Sequence, residues 1–352
     1  MKVFIFDSTT LDKAPYIKNY TQIFDESEIE YDICTWDKYS GNGVVSKKSG
    51  LITVHKKWHL GKRKLLDFVS VSRILKDIIQ KGQYTHLIIV NSIWALLLCD
   101  VLHKFKNKYI IDIRDYKCEN VIGVKWFLKK LISDSFFTTI SSGGFRNFLP
   151  QSEKIIENHN ISNWDYEGKE VTLNKNKALI NIVYMGHVRY FEENKKLINS
   201  IKGSKYFTLT YIGTYAVGCD LKNNESSNIK FFDRFENNEK PSLYKDYDLI
   251  HSLYGNKDIS ITSLLPNRLY DAVLFKKPIL ASEGTYLAKL VEKYGLGVVL
   301  DLYADSFTHD LVSYIKNFDE KDFYDKCTYF LEMVRLQQNK FLYEIKLFCE
   351  ES

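Results

Sequence analysis

The feature that most constrains the fold is a recurring pair of elements, a short and almost fully apolar strand followed by an amphipathic helix. Strands of this kind are predicted at Val3–Phe6, Leu87–Val90, Tyr109–Ile113 and Ile180–Met185. Strands that are apolar at nearly every position are typical of a parallel sheet with helices covering both faces. The sequence therefore predicts an α/β fold, with ligands expected at the carboxyl ends of its strands.

The length of the chain predicts two domains. Its 352 residues exceed the size at which a single hydrophobic core keeps growing. The first domain is predicted at residues 1–165 and the second at residues 178–335, with the polar and aperiodic run Ser162–Lys177 as the linker. The tail, residues 336–352, is predicted to be a helix that packs back on the first domain.

Composition excludes several broad classes of protein. Hydrophobic residues make up 45% and aromatic residues 14% of the chain, which argues against disorder. The 49 basic and 44 acidic residues give a net charge of +5, so charge does not indicate a nucleic-acid partner. The six cysteines lack zinc-like spacing, which predicts reduced thiols in a cytoplasmic protein. No apolar run is long enough to span a bilayer, and the N-terminus is predicted to be a strand instead of a signal peptide.

One stretch, Leu264–Leu300, combines helix, strand, helix and strand with residues suited to a nucleotide. A helix is predicted to begin at Pro266, whose missing N–H would have no partner in a first turn. Helix starts carry free N–H groups and partial positive charge, so Pro266, Asn267 and Arg268 suit a phosphate. Asp271, about one turn further along, could accept two hydrogen bonds from a ribose diol. The alternative is that Asp271 is a solvated helix acid paired with Arg268, and these residues alone do not decide between the two.

The run PNRLYDAVLFKKPILASEGTYLAKLVEKYGLGVVLD resembles the donor-nucleotide segment of group 1 (family 4 type) GT-B glycosyltransferases. In that family an acid at the position of Asp271 holds the ribose of a nucleotide sugar. Many members carry a second acid eight positions earlier that contacts the sugar, whereas Ser263 occupies that position here. The resemblance implies two Rossmann-like domains that face each other across a cleft, with a C-terminal helix crossing between them.

Two glycine turns in the second half extend the predicted donor site. The strand Ile180–Met185 runs into GHVRYF, and the corresponding turn of the family lies against the donor diphosphate. The resemblance thus places Gly186 and His187 on the donor and makes Arg189 the cation that stabilises the leaving group. An arginine after a strand is also often only a surface charge. Gly213 ends the next strand in a similar turn and is predicted on the donor side.

The acceptor side is predicted at two strand ends of the first domain. The motif IDIRDY places Asp112, Arg114 and Asp115 at one strand end, where a carboxylate could orient or deprotonate an acceptor hydroxyl. Arg114 and Asp115 join Arg189 as the predicted catalytic residues. The alternative is an ion pair between Arg114 and Asp115 that caps the sheet, and both interpretations stay open. Ser142 and Gly143 suit a phosphate or simply a tight turn, and their segment resembles a turn in the family's acceptor domain.

Two basic and aromatic segments indicate contact with a membrane surface. The run His55–Lys64 sets cations around Trp58, which could lie at a lipid interface while the cations pair with headgroup phosphates. The run Val121–Ile132 predicts a helix that carries Trp126 and three lysines. The alternatives are a basic surface loop and a core helix with a lysine-coated outer face. The preceding segment, Ser40–Gly50, is predicted to be a loop.

Together these observations predict a glycosyltransferase that moves a sugar from a nucleotide-diphosphate sugar to a carbohydrate acceptor. The diphosphate would be stabilised by Arg189, Arg268 and the helix start near Pro266, without a metal. No cofactor is expected, because neither half contains GxGxxG or GxxxxGK[ST]. By resemblance, the reaction retains the anomeric configuration, and the acceptor is an undecaprenyl-linked or related glycan of capsule or surface polysaccharide synthesis. The protein is then expected in the cytoplasm, peripheral to the inner face of the plasma membrane.

Two other functions are kept as alternatives. A sugar-nucleotide epimerase of the GT-B fold would use the same donor pocket, and turnover of the donor without an acceptor would favour it. A non-enzymatic α/β ligand-binding protein is the other alternative, which failure to bind or hydrolyse any sugar nucleotide would favour.

Overall fold

The computed structural model describes residues 1–59, 61, 63–117, 119–161, 166, 168 and 170–350. The chain forms two compact units: Met1–Asn160 together with the chain from Leu336 onward, and Ile161–Arg335. The predicted linker, Ser162–Lys177, falls at the start of the second unit, and its residues 162–165, 167 and 169 lie outside the described residues.

The first unit is built on an eight-stranded sheet. Its strands are β1 (Lys2–Asp7), β2 (Glu30–Asp37), β3 (Asn42–Lys48), β4 (Leu51–Lys56), β5 (His86–Val90), β6 (Tyr109–Ile113), β7 (Phe137–Ile140) and β8 (Ile155–Glu157). The order across the sheet is β3-β4-β2-β1-β5-β6-β7-β8, and the pairs are parallel except for β3 with β4. Strands β5 and β6 are buried at every position, as expected for a sheet covered on both faces.

The predicted loop at Ser40–Gly50 is wrong. Most of this segment forms β3, which pairs antiparallel with β4 through a two-residue turn. Both turn residues, Ser49 and Gly50, have positive φ angles, 45° and 76°, as the favoured hairpin turns require. The strand was hidden in the sequence because β3 lies at the sheet edge with mostly exposed side chains. Its lysines are typical of an edge that avoids pairing with other chains.

Helices cover both faces of this sheet. They are α1 (Lys18–Glu26), α2 (Arg63–Lys81), α3 (Ser92–Leu97), α4 (Cys99–Leu102) and α5 (Ile122–Asp134). Helix α3 contacts both α2 and α5, so these three form one layer. Residues of α1 share a hydrophobic cluster with Phe341, Ile345 and Phe348 from the end of the chain. The C-terminal segment is thus part of the first unit's core.

The second unit is built on a six-stranded parallel sheet. Its strands are β9 (Ile180–Met185), β10 (Phe207–Ile212), β11 (Ile229–Phe232), β12 (Leu249–Ser252), β13 (Ile279–Ser282) and β14 (Gly297–Leu300), in the order β11-β10-β9-β12-β13-β14. Its helices are α6 (Phe191–Ile201), α7 (Lys240–Leu243), α8 (Ile259–Thr262), α9 (Asn267–Leu274), α10 (Tyr286–Tyr294) and α11 (Phe307–Lys316). Strands β6 and β9 begin and end at the residues predicted from the sequence.

The last helix, α12 (Glu320–Glu350), belongs to both units in sequence. Its earlier apolar residues, among them Phe323 and Phe330, lie in the core of the second unit. Its later ones, Phe341 and Ile345, lie in the core of the first. Among the helices that the structure describes, none has a segment long and apolar enough to cross a membrane.

Candidate functional site

A pocket of about 330 Å³ lies in the second unit and collects most of the predicted donor-side residues. These are Gly186, His187, Arg189, Pro266, Asn267, Arg268 and Asp271. The residues follow β9 or belong to α9 and its cap, so they come from two segments about 80 positions apart. The structure also adds residues that the sequence did not single out, and Lys240, Phe235 and Tyr254 are among them.

The turn after β9, which lines the pocket through Gly186, packs closely on the turn after β10. Gly186 follows β9 with a φ of 129°, and Gly213 follows β10 with a φ of 144°. A Cβ atom added to Gly213 would lie 1.9 Å from the carbonyl oxygen of Gly186. Glycine at position 213 therefore leaves the space that the backbone of the turn after β9 occupies. It is not itself among the residues that line the pocket.

Helix α9 begins one residue later than predicted. Pro266 is extended, with φ −74° and ψ 145°, and precedes the helix as its N-cap instead of lying in its first turn. Its carbonyl oxygen accepts a hydrogen bond from the backbone N–H of Leu269, at 3.0 Å. Pro266, Asn267 and Arg268 all line the pocket, so the first turn of α9 borders it.

Arg268 is a buried cation held by aromatic rings. Its guanidinium carbon lies 3.7 Å from the centre of the Tyr184 ring and 4.9 Å from that of Tyr254. One terminal nitrogen, Nη1, donates to the carbonyl oxygen of Met185 at 3.1 Å, while Nε has no hydrogen-bond partner. Within the described residues Arg268 forms no ion pair. The pocket thus contains a desolvated positive charge without a close carboxylate.

Arg189 and His187 lie at the exposed rim of the same pocket. The His187 ring places Nδ1 2.8 Å from the Thr214 hydroxyl, which fixes its orientation. Across the part of the chain that the structure describes, Arg189 has no carboxylate within 4 Å. Both arginines are consequently available to an anion. The described residues contain no group of three or more His, Cys, Asp or Glu side chains that could hold a metal ion.

Asp271 has a partner that the sequence did not reveal. The Lys240 ammonium lies 3.0 Å from Oδ1 and 2.9 Å from Oδ2 of Asp271. The Tyr244 hydroxyl donates to Oδ2 at 3.1 Å. The side chains of Lys240 and Asp271 are only 9% and 7% exposed. The alternative of a solvated Asp271 paired with Arg268 is therefore wrong, because the acid is buried and its partner comes from α7.

In the first unit, Asp112 and Arg114 form a buried pair. The Arg114 nitrogens Nε and Nη2 lie 2.7 Å from Oδ1 and Oδ2 of Asp112. The Tyr20 hydroxyl donates to Oδ2 at 2.8 Å, and the guanidinium stacks on the Tyr16 ring at 4.1 Å. The negative charge of Asp112 raises the pKa of Arg114 above its usual range despite burial. Asp115 is exposed and lies 3.7 Å from the Lys117 ammonium, so the Arg114–Asp115 ion pair is not formed.

In the turn after β7, the Ser142 hydroxyl hydrogen-bonds to the backbone of the same turn. Ser142 is buried, and its hydroxyl accepts a hydrogen bond from the backbone N–H of Gly144 at 3.2 Å. Gly143 is buried in the same single helical turn. The Ser142 hydroxyl therefore caps this turn, which is what the tight-turn interpretation of these residues expects.

In the basic segment His55–Lys64, the two histidines and Trp58 make contacts within the first unit, whereas Lys57, Arg63 and Lys64 are exposed. His55 lies 3.0 Å from an Asp37 oxygen and His59 3.1 Å from an Asp67 oxygen. Trp58 packs on Trp36 and Phe68, with ring centres 5.2 Å away in both cases. Trp58 is therefore half-buried among aromatic side chains, and its contact with a lipid interface stays a prediction. Leu60 and Lys62 of this segment are outside the described residues.

Helix α5 instead exposes the apolar side chains. Ile122 is 89% and Trp126 65% exposed, and Phe127 is exposed beside them. Lys125, Lys129 and Lys130 are exposed on the same helix. The core-helix alternative therefore holds only for the inner face, which buries Leu128, Leu131 and Ile132.

Comparisons with known proteins show the fold. No protein-family model matches the chain, and a search of curated protein sequences found no significant match. A structure of trehalose-6-phosphate from E. coli bound with UDP-2-fluoro glucose has a TM-score of 0.69 at 9% identity, over 98% of this chain and 99% of that one. Anabaena HepE in complex with UDP and glucose has a TM-score of 0.61 at 11% identity, over 100% and 98%. The lipopolysaccharide outer core galactosyltransferase WaaB has a TM-score of 0.60 at 12% identity, over 93% and 95%. The prediction of a GT-B fold with two parallel-sheet domains is confirmed.

Proposed function

We propose that the protein is a glycosyltransferase that binds a nucleotide-diphosphate sugar in the pocket of the second unit. The observation that carries this proposal is the charge arrangement of the pocket. Arg268 and Arg189 supply positive charge without close carboxylates, while Asp271 supplies a buried acceptor about one helical turn further along α9. A nucleoside diphosphate presents its groups in the matching order. Its diphosphate would meet the two arginines, and its ribose hydroxyls would donate hydrogen bonds to Asp271. Structures of the same fold bound to UDP-2-fluoro glucose and to UDP with glucose support the choice of ligand.

The chemistry follows from the charge that develops as the glycosidic bond to phosphate breaks. Negative charge builds on the diphosphate leaving group, and groups already oriented towards it stabilise the transition state. Arg268 is fixed by Tyr184 and Met185, so its orientation costs little during the reaction. Arg189 is exposed at the rim, so its side chain can move to stay close to the leaving diphosphate. We expect these two cations and the N–H groups that begin α9 to supply the stabilisation without a divalent metal. Undiminished turnover after treatment with EDTA is the expected result.

The pocket composition also bears on the epimerase alternative. Asp271 is the only carboxylate among the described lining residues, and it is already paired with Lys240. An epimerase would need several carboxylates around the sugar. Transfer to a separate acceptor is therefore the better supported reaction, and retention at the anomeric carbon is the expected outcome. NMR of the product would show the configuration, and inversion would contradict this part of the proposal.

We propose further that the acceptor is a lipid-linked glycan of a capsule or surface polysaccharide, reached by peripheral contact with the membrane. Helix α5 supports this proposal with Ile122, Trp126 and Phe127 exposed next to its lysines. Apolar side chains flanked by cations are typical of a helix that lies in an anionic interface. Leu65 and Leu66 are exposed at the start of α2, in the same helical layer.

Flotation with phosphatidylglycerol vesicles tests the membrane contact. The wild-type protein is expected to float with the vesicles, and replacing Trp126 and Phe127 by serine is expected to release it. Tyr343→Ser is a matched control, because Tyr343 is an exposed aromatic residue on α12. Equal flotation of all three proteins would contradict a role for α5.

A panel of UDP, GDP, ADP and dTDP sugars tests the donor site through thermal stabilisation and product formation. At least one donor is expected to raise the melting temperature of the wild type, and Asp271→Ala is expected to weaken that effect. Asp310→Ala is the control, because Asp310 lies on α11 and does not line the pocket. Failure of the whole panel to bind would overturn the proposed function. Consumption of donor without an acceptor would favour the epimerase.

A further inference from the structure

The pair of Lys240 and Asp271 offers hydrogen bonds that the protein itself leaves unused. An ammonium group has three donors, and two of those of Lys240 are directed to the two carboxylate oxygens of Asp271. Oδ2 of Asp271 also accepts from Tyr244, whereas Oδ1 accepts from Lys240 alone. Within the described residues, one donor of Lys240 and one lone pair of Oδ1 therefore remain, side by side in the pocket.

A hydroxyl group is complementary to this arrangement. It has one hydrogen to donate and lone pairs to accept, so a single hydroxyl can donate to Oδ1 while it accepts from Lys240. A lone carbonyl oxygen could satisfy only Lys240, and an amino group only Asp271. The pair is thus suited to a group that is both donor and acceptor.

The position of the pair indicates which part of a ligand it meets. Asp271 lies three residues after Arg268 on α9, which is about 4.5 Å along the helix axis. An anion at Arg268 would place the next few atoms of a nucleotide, its ribose, near Asp271. Phe235 and Asn237 line the same pocket from the segment that leads into Lys240, which leaves an apolar ring and an amide for the base.

Burial explains why a ligand would join the pair instead of breaking it. The Lys240 and Asp271 side chains are almost fully buried. Separating them would leave two uncompensated charges out of water, which is strongly unfavourable. A hydroxyl that adds to the unused donor and acceptor needs no such separation.

We infer that Lys240 is a ligand-contacting residue that, together with Asp271, selects the ribose hydroxyls of the donor, so that the protein takes ribonucleoside diphosphates in preference to deoxyribonucleosides. This inference rests on the proposed donor site. A ligand that lacks the hydroxyl leaves the buried donor of Lys240 and the buried acceptor of Asp271 unpaired. Leaving these groups unpaired costs more than the hydrogen bonds themselves contribute, so such a ligand should bind much more weakly. UDP, GDP and ADP sugars are then favoured over dTDP sugars.

Calorimetric titration with matched nucleotides tests the inference. UDP, 2′-deoxy-UDP and 3′-deoxy-UDP are titrated into the wild type, with the guanine or adenine series in their place if UDP does not bind. At least one deoxy nucleotide is expected to bind about 10- to 100-fold more weakly than its ribo counterpart. Equal dissociation constants for all three nucleotides would overturn the inference without any variant.

Variants separate Lys240 from the rest of the site. Lys240→Met is expected to weaken binding of the ribonucleotide about 10- to 100-fold and to reduce the ratio between ribo and deoxy ligands. Lys240→Arg, which keeps a cation, is expected to retain more of both. Lys245→Met is the control, since Lys245 is exposed on the same segment and does not line this pocket.

The outcomes distinguish the two proposals. A wild type that binds no nucleoside diphosphate contradicts the donor site itself. A wild type that binds one, with Lys240→Met keeping its affinity and its ribo-to-deoxy ratio, leaves the donor site in place and refutes the role of Lys240. Because Lys240→Met leaves the buried Asp271 carboxylate without its cation, the single variant is replaced, if it does not fold, by the double variant Lys240→Met/Asp271→Leu, which removes the charge, the donor and the acceptor together. It is expected to bind ribo and deoxy nucleotides equally, and a retained ratio would refute the inference.

Discussion

Replacing Arg268 by methionine should reduce nucleotide binding strongly while changing the stability of the free protein little. Arg268 is buried and stacked on Tyr184, and it has no ion-pair partner among the described residues. A cation in that state is costly for the folded protein and favourable for an anionic ligand. Methionine has similar length and no charge, so it removes both effects at once.

The magnitudes follow from elementary electrostatics. Two unit charges 4 Å apart attract by about 4 kcal/mol at the effective dielectric constant of about 20 that suits protein sites. Desolvation of the diphosphate offsets part of this attraction, so a loss of about 3–4 kcal/mol, or about 10²- to 10³-fold in affinity, is expected. In the free protein, the lost cation–π contact of about 2 kcal/mol and the lost hydrogen bond to the Met185 carbonyl oxygen, about 1 kcal/mol, oppose the relief of a desolvated charge, which is worth several kcal/mol. The free energy of unfolding should therefore change by less than about 1 kcal/mol.

Calorimetric titration with UDP or GDP and thermal unfolding of the free protein provide the two measurements. Arg73→Met is the matched control, because Arg73 is an exposed arginine of the first unit. Arg268→Lys should recover part of the affinity, since it restores the charge without the planar stacking surface. A variant that is severely destabilised yet binds nucleotide normally would show that Arg268 serves the fold, and the electrostatic argument for the pocket would fail.

Three further predictions each concern a single residue: Arg189, Gly213 and His159. Arg189→Ala should lower kcat about 10- to 100-fold with a smaller effect on KM, because the exposed Arg189 acts on charge that appears in the transition state; unchanged kinetics would exclude it from catalysis. Gly213→Ala should lower the melting temperature and abolish nucleotide binding, because the new Cβ atom would lie 1.9 Å from the Gly186 carbonyl oxygen, and a folded variant with normal affinity would contradict that packing. Burial lowers the pKa of His159 to about 4, below its unfolded value of about 6.5. As the pH falls, His159 is therefore protonated first in the unfolded state, so the free energy of unfolding decreases between about pH 6.5 and pH 4. The loss is about 3 kcal/mol, and His159→Gln, which cannot titrate, should show a melting temperature that falls less steeply over that range.

The sheet strands were predictable because their environment is simple. A central strand of a parallel sheet is buried on both faces, so nearly every residue must be apolar, and β6 and β9 were delimited correctly for that reason. The edge strand β3 was missed because its exposed positions mix valine, serine and lysine and show no alternation of apolar and polar residues. The packing of Trp58 could not be predicted for a related reason. A tryptophan among lysines indicates an interface in sequence, whereas the fold also brings Trp36 of β2 and Phe68 of α2 beside it.

The site could be predicted only where topology forces residues together. The turn after β9 and the start of α9 both lie at the carboxyl edge of one parallel sheet, so Gly186 and Arg268 were expected near each other, and Arg268 Nη1 is 3.5 Å from the position a Gly186 Cβ would take. No such rule connects Lys240 to Asp271. Lys240 lies in a short helix after β11, in a segment rich in charged residues, and nothing local marks it as buried.

The identity of the Asp271 partner shows why local spacing was misleading. Arg268 and Asp271 are three residues apart on a helix, a spacing that favours an ion pair on an exposed surface. Here both side chains are buried, so each takes the partner offered by the neighbouring element. Arg268 reaches the end of β9 and stacks on Tyr184, while Asp271 meets Lys240 on α7. Had the two paired with each other, the cation at the start of α9 would have a close carboxylate, and the positive charge left over would lie at Lys240 and Arg189. Their separation leaves, among the described residues, a guanidinium without an ion pair at the start of α9 and a carboxylate that can accept hydroxyl hydrogens one turn further along, which is the arrangement that the proposed nucleotide site requires.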